Sequence, residues 1–516
     1  MSKFIGIDLG TTYSAMARLN EIGKPEVITN SENENMTPSV VWFDSDTTGK
    51  VVVGSSAKNS YALEPDRVVA EIKREMGNPD YSISFDGVEY LPAQISAFIL
   101  KKLKEDAEQQ SKIDDDAQYV ITVPAHFDEP RRTATMNAAK IIGINVTGII
   151  NEPTAAALFY ATNNEINGKV LVYDLGGGTF DATLMDVSGK DINIISSEGD
   201  HHLGGVDFDK ALSKIIAEKY EKDKGSPLYN DEVRVSDHYT FIEAIKKELS
   251  IKDRIRNILP RVNYKFEVSR SEFEEAISAY VYKSEMCVES ILSEQNLSPK
   301  DIDKVLLVGG SCRIPYVQNR LKEMFGFEPT MEVNVDQAIA LGAAIQAGLK
   351  ALDSKNTDVP PSVASSLNDV NLIDVTNHSY GTIVVGVDED AQRQVLVNSI
   401  ILKKNTPLPC KNTETYHTLS DNQDSVDISI TQGEGEDLEW INVVHKEEMS
   451  LPSGRPAGRP VDVTYKYNTN QLMSCLFVDV ESGQELILDL HANDKGGFDA
   501  KKIEESRETL DSFTIE

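Results

Sequence analysis

The stretch Lys169–Leu184, KVLVYDLGGGTFDATL, sets two β-rich runs on either side of three consecutive glycines, with Asp174 before the gap and Asp181 after it. At a hairpin tip, residues without a Cβ let backbone N–H groups converge on a ligand, and converging amides form an anion site. Thr179 adds a hydroxyl donor, and Asp174 at a strand end suits a hard cation such as Mg²⁺. Asp181 reads as a solvated strand residue or, beside a triphosphate, as an acid that orients a water or a metal-bound water. One glycine-rich hairpin is ordinarily a tight turn. Here the pattern recurs: IGIDLGTTYSA (5–15) has the same order of apolar strand, Asp-Leu-Gly, hydroxyl residues and returning strand, with Asp8, Thr11 and Thr12 in the matching places. Two such hairpins predict two similar lobes facing each other across a cleft that clamps a nucleotide's phosphates and their metal.

Outward from the hairpins, β runs such as QYVITVP (118–124) and DKVLLVGG (303–310) alternate with helical patterns such as 92–110, 270–295 and 336–352, which predicts an α/β architecture to about residue 350. The polar stretch 352–369 carries Pro360-Pro361 and neither period, and reads as an interdomain linker. Beyond it SVDISIT (425–431), VDVTYKY (461–467) and ELILDL (485–490) alternate with a period of two, so this part is all β. The segment 498–513 reads as one charged, weakly amphipathic helix at most.

A chain of 516 residues with 40% hydrophobic content can build several cores. Its net charge of −32 opposes a nucleic acid partner, because phosphate neutralisation needs clustered Lys and Arg. No apolar run has the length of a membrane span, and the start enters a strand pattern at once with no signal peptide, so no membrane partner and a cytoplasmic location are expected. Cys287, Cys312, Cys410 and Cys475 form no metal or disulfide pattern and read as ordinary thiols. His201-His202 is not read as a metal site, because adjacent side chains on an extended chain point apart.

The segments IGIDLGTTYS, 121–143, IINEPTAAALFY (149–160), YDLGGGTFDAT, GDHHLGGVDFD (199–209) and LVGGSCRIP (307–315) resemble the DnaK-like heat-shock chaperones of the 70-kilodalton class. The likeness continues through LIDVTNHSYG (372–381), NTPLP (405–409), TLSDNQDSV (418–426) and TQGE (431–434), covering about residues 2–495. It implies an actin-like two-lobed α/β ATPase domain (1–352), a linker (353–372), a β-sandwich that grips extended hydrophobic peptides (373–495) and a short helix or tail (496–516). It also implies ATP and ADP with Mg²⁺ as cofactors, with ATP opening the peptide site and hydrolysis closing it.

By resemblance, Gly10, Thr11, Thr12 and Tyr13 form the first phosphate loop, and Gly176, Gly177, Gly178 and Thr179 the second, with Gly204 and Gly205 beside them. Asp8 and Asp174 fall on the metal-side carboxylates, Asp181 and Glu152 on acids around the catalytic water, and Lys73 on the catalytic lysine that stabilises charge on the terminal phosphate. Glu243, Lys246, Lys247 and Ser250 match the ribose and adenine helix, with Gly310, Ser311, Arg313 and Asp336 on the other face. Pro124, Arg132, Asp369, Leu372 and Asp374 match positions that relay nucleotide state between domains. Thr382, Val385, Tyr416, Leu419 and Val426 match the peptide groove and its arch.

The chain departs from the family at several places. Only about 20 residues follow the sandwich, so the helical lid is expected to be missing and bound peptide to leave faster. Lys247 stands where an arginine usually stacks on adenine. Asn371 interrupts the apolar linker, and docking it is expected to bury an amide that needs a partner. Gly148 replaces an arginine that receives the J-domain co-chaperone, which argues against standard J-domain coupling; the segment after Ser250 is also short where exchange factors act. The expected function is an ATP-dependent chaperone for unfolded client polypeptides, with a weakly or non-hydrolysing nucleotide-switched regulator as the alternative. A small-molecule kinase on the same fold is disfavoured because the β domain would have no purpose there.

Overall fold

The computed structural model describes residues 2–47, 49–110, 112–164, 166–331, 336–354, 359–388, 393–469, 471–490 and 498–516. The first hairpin, Ser2–Asp8 with Tyr13–Leu19, sits at the centre of a six-stranded sheet ordered Asn145–Asn151, Ile113–Val123, Ser2–Asp8, Tyr13–Leu19, Pro25–Ile28, with Thr37–Pro38 beside Tyr13–Leu19. The second hairpin, Asn167–Leu175 with Phe180–Ser188, occupies the same place in another six-stranded sheet, between Lys304–Val308 with Thr330–Met331 on one side and Asp191–Asp200 on the other. In both sheets the hairpin is antiparallel and the strands reached through helical connections are parallel. The internal echo of the sequence is thus a repeated sheet topology, one per lobe.

The helices Glu152–Asn163 and Ala338–Asp353 pack against each other between the lobes, and their alanines close the core that joins the two sheets. Close approach demands glycine at two points. A Cβ on Gly342 would sit 1.8 Å from the Ala155 carbonyl oxygen, and one on Gly6 would sit 2.2 Å from the Ala344 nitrogen. Any side chain at either place would push the helix Ala338–Asp353 away and open the cleft floor.

Residues 380–490 build two antiparallel four-stranded sheets, ordered Arg393–Leu402, Tyr380–Asp388, Ser425–Gln432, Asn442–Ser450 and Cys410–His417, Pro460–Tyr467, Met473–Asp479, Glu485–Asp489. Alternate residues such as Ile428, Ile430, Val463, Tyr465 and Phe477 fill the space between them. Two segments outside the sheets carry structure of their own. The stretch read as a linker without periodicity contains the helix Pro361–Leu367, which buries Val363 and Leu367 on the inter-lobe core, and the strand Asn371–Ile373, which extends the second-lobe sheet in parallel beside Asp191–Asn193. The segment 498–513, read as one helix at most, holds the single helix Ala500–Asp511, and just beyond it the strand Thr514–Ile515 runs parallel to Lys50–Val51 in a small first-lobe sheet.

Candidate nucleotide site and domain junction

Between the lobes lies a cleft of about 950 Å³ lined by both hairpin tips. Asp8, Gly10, Thr11, Thr12, Tyr13, Lys73, Glu152, Asp174, Gly176, Gly177 and Thr179 meet there, although they come from four separate stretches of sequence. The second loop rests on the start of the helix Gly205–Lys224: Gly205 N–H donates to the Gly176 carbonyl (3.0 Å) and Val206 N–H to the Gly177 carbonyl (2.8 Å). With those carbonyls occupied, the glycine tip forms a wall of the cleft with the positive end of the helix dipole behind it.

Three predicted residues stand behind this wall rather than in it. Gly178 carries its carbonyl to Arg74, which also pairs with Asp207. Gly204 lets the helix approach, since a Cβ there would lie 2.6 Å from Gly177. Asp181 is buried and accepts the His126 N–H at 3.0 Å. Arg74, missed by sequence reasoning although it adjoins Lys73, ties the first lobe to the second phosphate loop.

At the floor Lys73 is paired with Glu152, both buried. Burial, reinforced by Glu152, pushes Asp8 up to about 7 and Asp181 up to about 7, with Lys73 opposing in both cases. Burial and then Glu152 raise Asp174 well above the usual carboxylate range. One oxygen of Asp174, Oδ2, is buried without a hydrogen-bond partner. Carboxylates buried in one floor, with one oxygen orphaned, fit a divalent cation that would restore their ionised forms.

The nucleoside side of the cleft is built on the helix Tyr239–Leu249, whose Glu243, Lys246 and Lys247 share a face. Lys246 pairs with Asp209 at 2.7 Å and donates to the Gly205 carbonyl at 2.8 Å. Lys247 does not lie flat over the base side: its Nζ pairs with Glu243 at 2.7 Å and stands 5.4 Å from the Tyr13 ring centroid. Glu243 also takes Lys58 of the opposite lobe at 2.5 Å, and although burial works against it, Lys58 and Lys247 hold its carboxyl down to about 2. Lys58 therefore closes the cleft mouth, and nothing in GSSAKNSY marks it. Ser250, Gly310, Ser311 and Arg313 line the remaining wall, with Arg313 bound to Asp336 at 2.7 Å.

The sandwich is docked on the two-lobed domain close to this floor. Arg132, only 1% exposed, donates to Asn151 Oδ1 (2.8 Å), to the Phe127 carbonyl (3.0 Å) and to Gln471 Oε1 of the sandwich (2.5 Å). Gln471 passes its amide to Asp374 at 2.5 Å, and Asn151 reaches the same carboxylate at 3.4 Å. Asn151 immediately precedes Glu152, so this network touches the residue beside the Lys73 partner. Lys404 of the sandwich pairs with Glu198 and Glu294 of the second lobe. Pro124 is buried and its carbonyl takes the Phe127 N–H. Leu372 packs on the inter-lobe core, whereas Asp369 is exposed outside the network. Asn371 is exposed too, its N–H bonded to the Lys190 carbonyl at 3.0 Å, so docking does not bury its amide as expected.

In the sandwich, Val385 and Leu419 are exposed, Tyr416 donates to Ser399 at 2.9 Å, and Val426 packs partly on the core. Thr382 is corrected: it is buried between the sheets beside Tyr465, not at a surface groove. Val385 pairs with Leu396 in register, and with Val387 they leave an apolar strip open on one sheet. His201 and His202 are corrected as well, since a turn brings their rings to 4.5 Å and their ligating atoms, with Asp200, within 4.8 Å of one another.

A repeated-lobe phosphate cleft, joined through buried polar contacts to a β-sandwich, is one continuous design, and one family model, described as Hsp70 protein, matches it over residues 4–514. This chain therefore belongs to the Hsp70 family, whose members are ATP-binding chaperones.

Proposed function

We propose that this chain hydrolyses ATP and uses the nucleotide state to control the grip of its sandwich on extended apolar segments of unfolded polypeptides. The observation that carries this reading is the buried path from Lys73 to Glu152, along the chain to Asn151, and on through Arg132 to Gln471, which joins the cleft floor to the sandwich. The two hairpin tips bind and orient the phosphates through their amides and threonine hydroxyls. Asp8 and Asp174 would hold Mg²⁺, which when bound neutralises charge on the phosphate oxygens. Lys73 swings from Glu152 toward the terminal phosphate and offsets the charge that accumulates there, while Asp181 acts only from behind the cleft wall, where it holds the His126 N–H. Exposure of Val385, Val387 and Leu396 in the docked form supports an open, weakly gripping peptide site in that state.

Single-turnover hydrolysis by Lys73→Ala is expected to be slower by roughly 10²- to 10³-fold, as when one preorganised electrostatic donor is removed. Release of a fluorescent hydrophobic peptide is expected to be faster with ATP·Mg²⁺ than with ADP·Mg²⁺. A wild-type rate no faster than Lys73→Ala would replace the enzymatic reading with that of a nucleotide-switched regulator; equal release rates in both nucleotides would remove the coupling.

A further inference from the structure

Of the 8 histidines in the chain, His126, His201, His202 and His378 gather where the two lobes and the sandwich meet. His126 follows the first-lobe strand Ile113–Val123, and His378 precedes the sandwich strand Tyr380–Asp388. Their rings face each other across the docking surface with centroids 5.1 Å apart. His378 is bonded to the Phe127 backbone of the first lobe, while its Nε2 is buried without a partner. A buried ring nitrogen with nothing to donate to is best left as an unprotonated acceptor.

The charged surroundings offer little to hold a proton there. His378 faces His126, Arg132 and Lys404. His126 faces Glu198, Asp128 and Asp200 besides Lys404, and its backbone N–H is given to Asp181. Those acids are already engaged: Glu198 with Lys404, Asp128 with Arg131, and Asp200 with the His202 N–H. His201, next to this pair, faces Arg131, His202 and Asp200. Charging both rings would therefore set two cations about 5 Å apart, beside Arg132 and Lys404, and their repulsion falls on the sandwich contact.

We propose that the His126–His378 pair is a proton-operated latch: the sandwich stays docked while both rings are neutral, and mild acidification that charges them drives it off the ATPase domain. This rests on the docked arrangement of the proposed cycle. Burial holds both rings below the ordinary histidine value, with Glu198 opposing at His126. Separation returns His378 to water, so the docked form binds fewer protons than the separated one. Docking is complete above the ordinary value of about 6.5 and is lost below it, by at most about tenfold at pH 5.5 for one ring and about a hundredfold for two. Asp374 works the other way, because burial raises it to about 6 and the docked form takes up a proton there; it offsets about fourfold at pH 5.5 if separation exposes it. The net fall is at most about 3- to 30-fold.

The test is small-angle scattering of the full chain with saturating ATP·Mg²⁺ from pH 8 to 5.5, reading the docked fraction. The wild type is expected to open as pH falls. His126→Gln/His378→Gln is expected to stay docked, and His378→Arg, with its fixed charge, to open already at pH 8; circular dichroism melts at pH 8 check that each is folded. A wild type whose docked fraction does not change, or a glutamine variant that opens with the same profile, overturns the latch alone. A wild type already open at pH 8 with ATP overturns the docked arrangement and the latch with it.

Discussion

Two short strands tie the part of the chain outside the two-lobed domain to opposite lobes, and both add in parallel to a sheet edge. Asn371–Ile373 lies on the second lobe, with Asn371 and Ile373 exposed and only Leu372 packed inward. Thr514–Ile515 lies on the first lobe and is led there by the helix Ala500–Asp511, whose Leu510 is buried. Phe513 meets the edges of Phe43 and Phe98 at 6.2 and 5.6 Å, and Arg507 donates to the Lys140 and Ile141 carbonyls. Backbone bonds alone return little net stability because water competes for them, whereas buried aromatic and leucine side chains hold firmly. The first attachment, resting on one half-buried leucine, is thus the weaker of the two, and the second the firmer.

Leu510→Ala is the harshest way to test that difference. It should destabilise the first lobe by about 2–5 kcal/mol in urea or thermal unfolding while leaving the sandwich transition in place. A loss under about 0.5 kcal/mol, typical of an open surface position, would make the two attachments equivalent. Leu372→Asp should weaken linker docking by about 1–3 kcal/mol, because a carboxylate cannot pack on the inter-lobe core. Peptide release should then become insensitive to ATP with both unfolding transitions unmoved; retained sensitivity would shift the coupling away from this strand. The smallest effect is expected from Asp511→Asn, which removes the Lys101 pair at 2.9 Å. Asp511 is largely exposed, so the change in unfolding free energy should stay within about 0.5 kcal/mol, and a larger one would mean that charge rather than apolar packing anchors the helix.

The nucleotide cleft was legible because phosphate binding imposes local rules. Glycines, hydroxyls and an aspartate must occur within one hairpin, and IGIDLGTTYS and YDLGGGTFD carry them in order. Lys58 and Arg74 escaped because their partners, Glu243 and Asp207, lie in the other lobe and leave no periodic trace beside them. Thr382 sits in a strand whose alternation permits either face, and its burial was settled only by the second sheet closing over it. The helix Pro361–Leu367 hid in a polar stretch because only Val363 and Leu367 touch the core. Asn371 escaped burial because a strand added at a sheet edge can turn its side chain to water.

By itself, then, the sequence determined the two hairpins, the repeated lobes, the all-β second part and the acids and glycines of the cleft, since each depends on residues within a few positions of one another. Only the tertiary structure decided that Arg132 meets Gln471, that His126 faces His378 and that Thr514–Ile515 returns to the first lobe. Those contacts join residues far apart in the chain, and no local propensity or spacing encodes which distant surface will be brought against them when the domains dock.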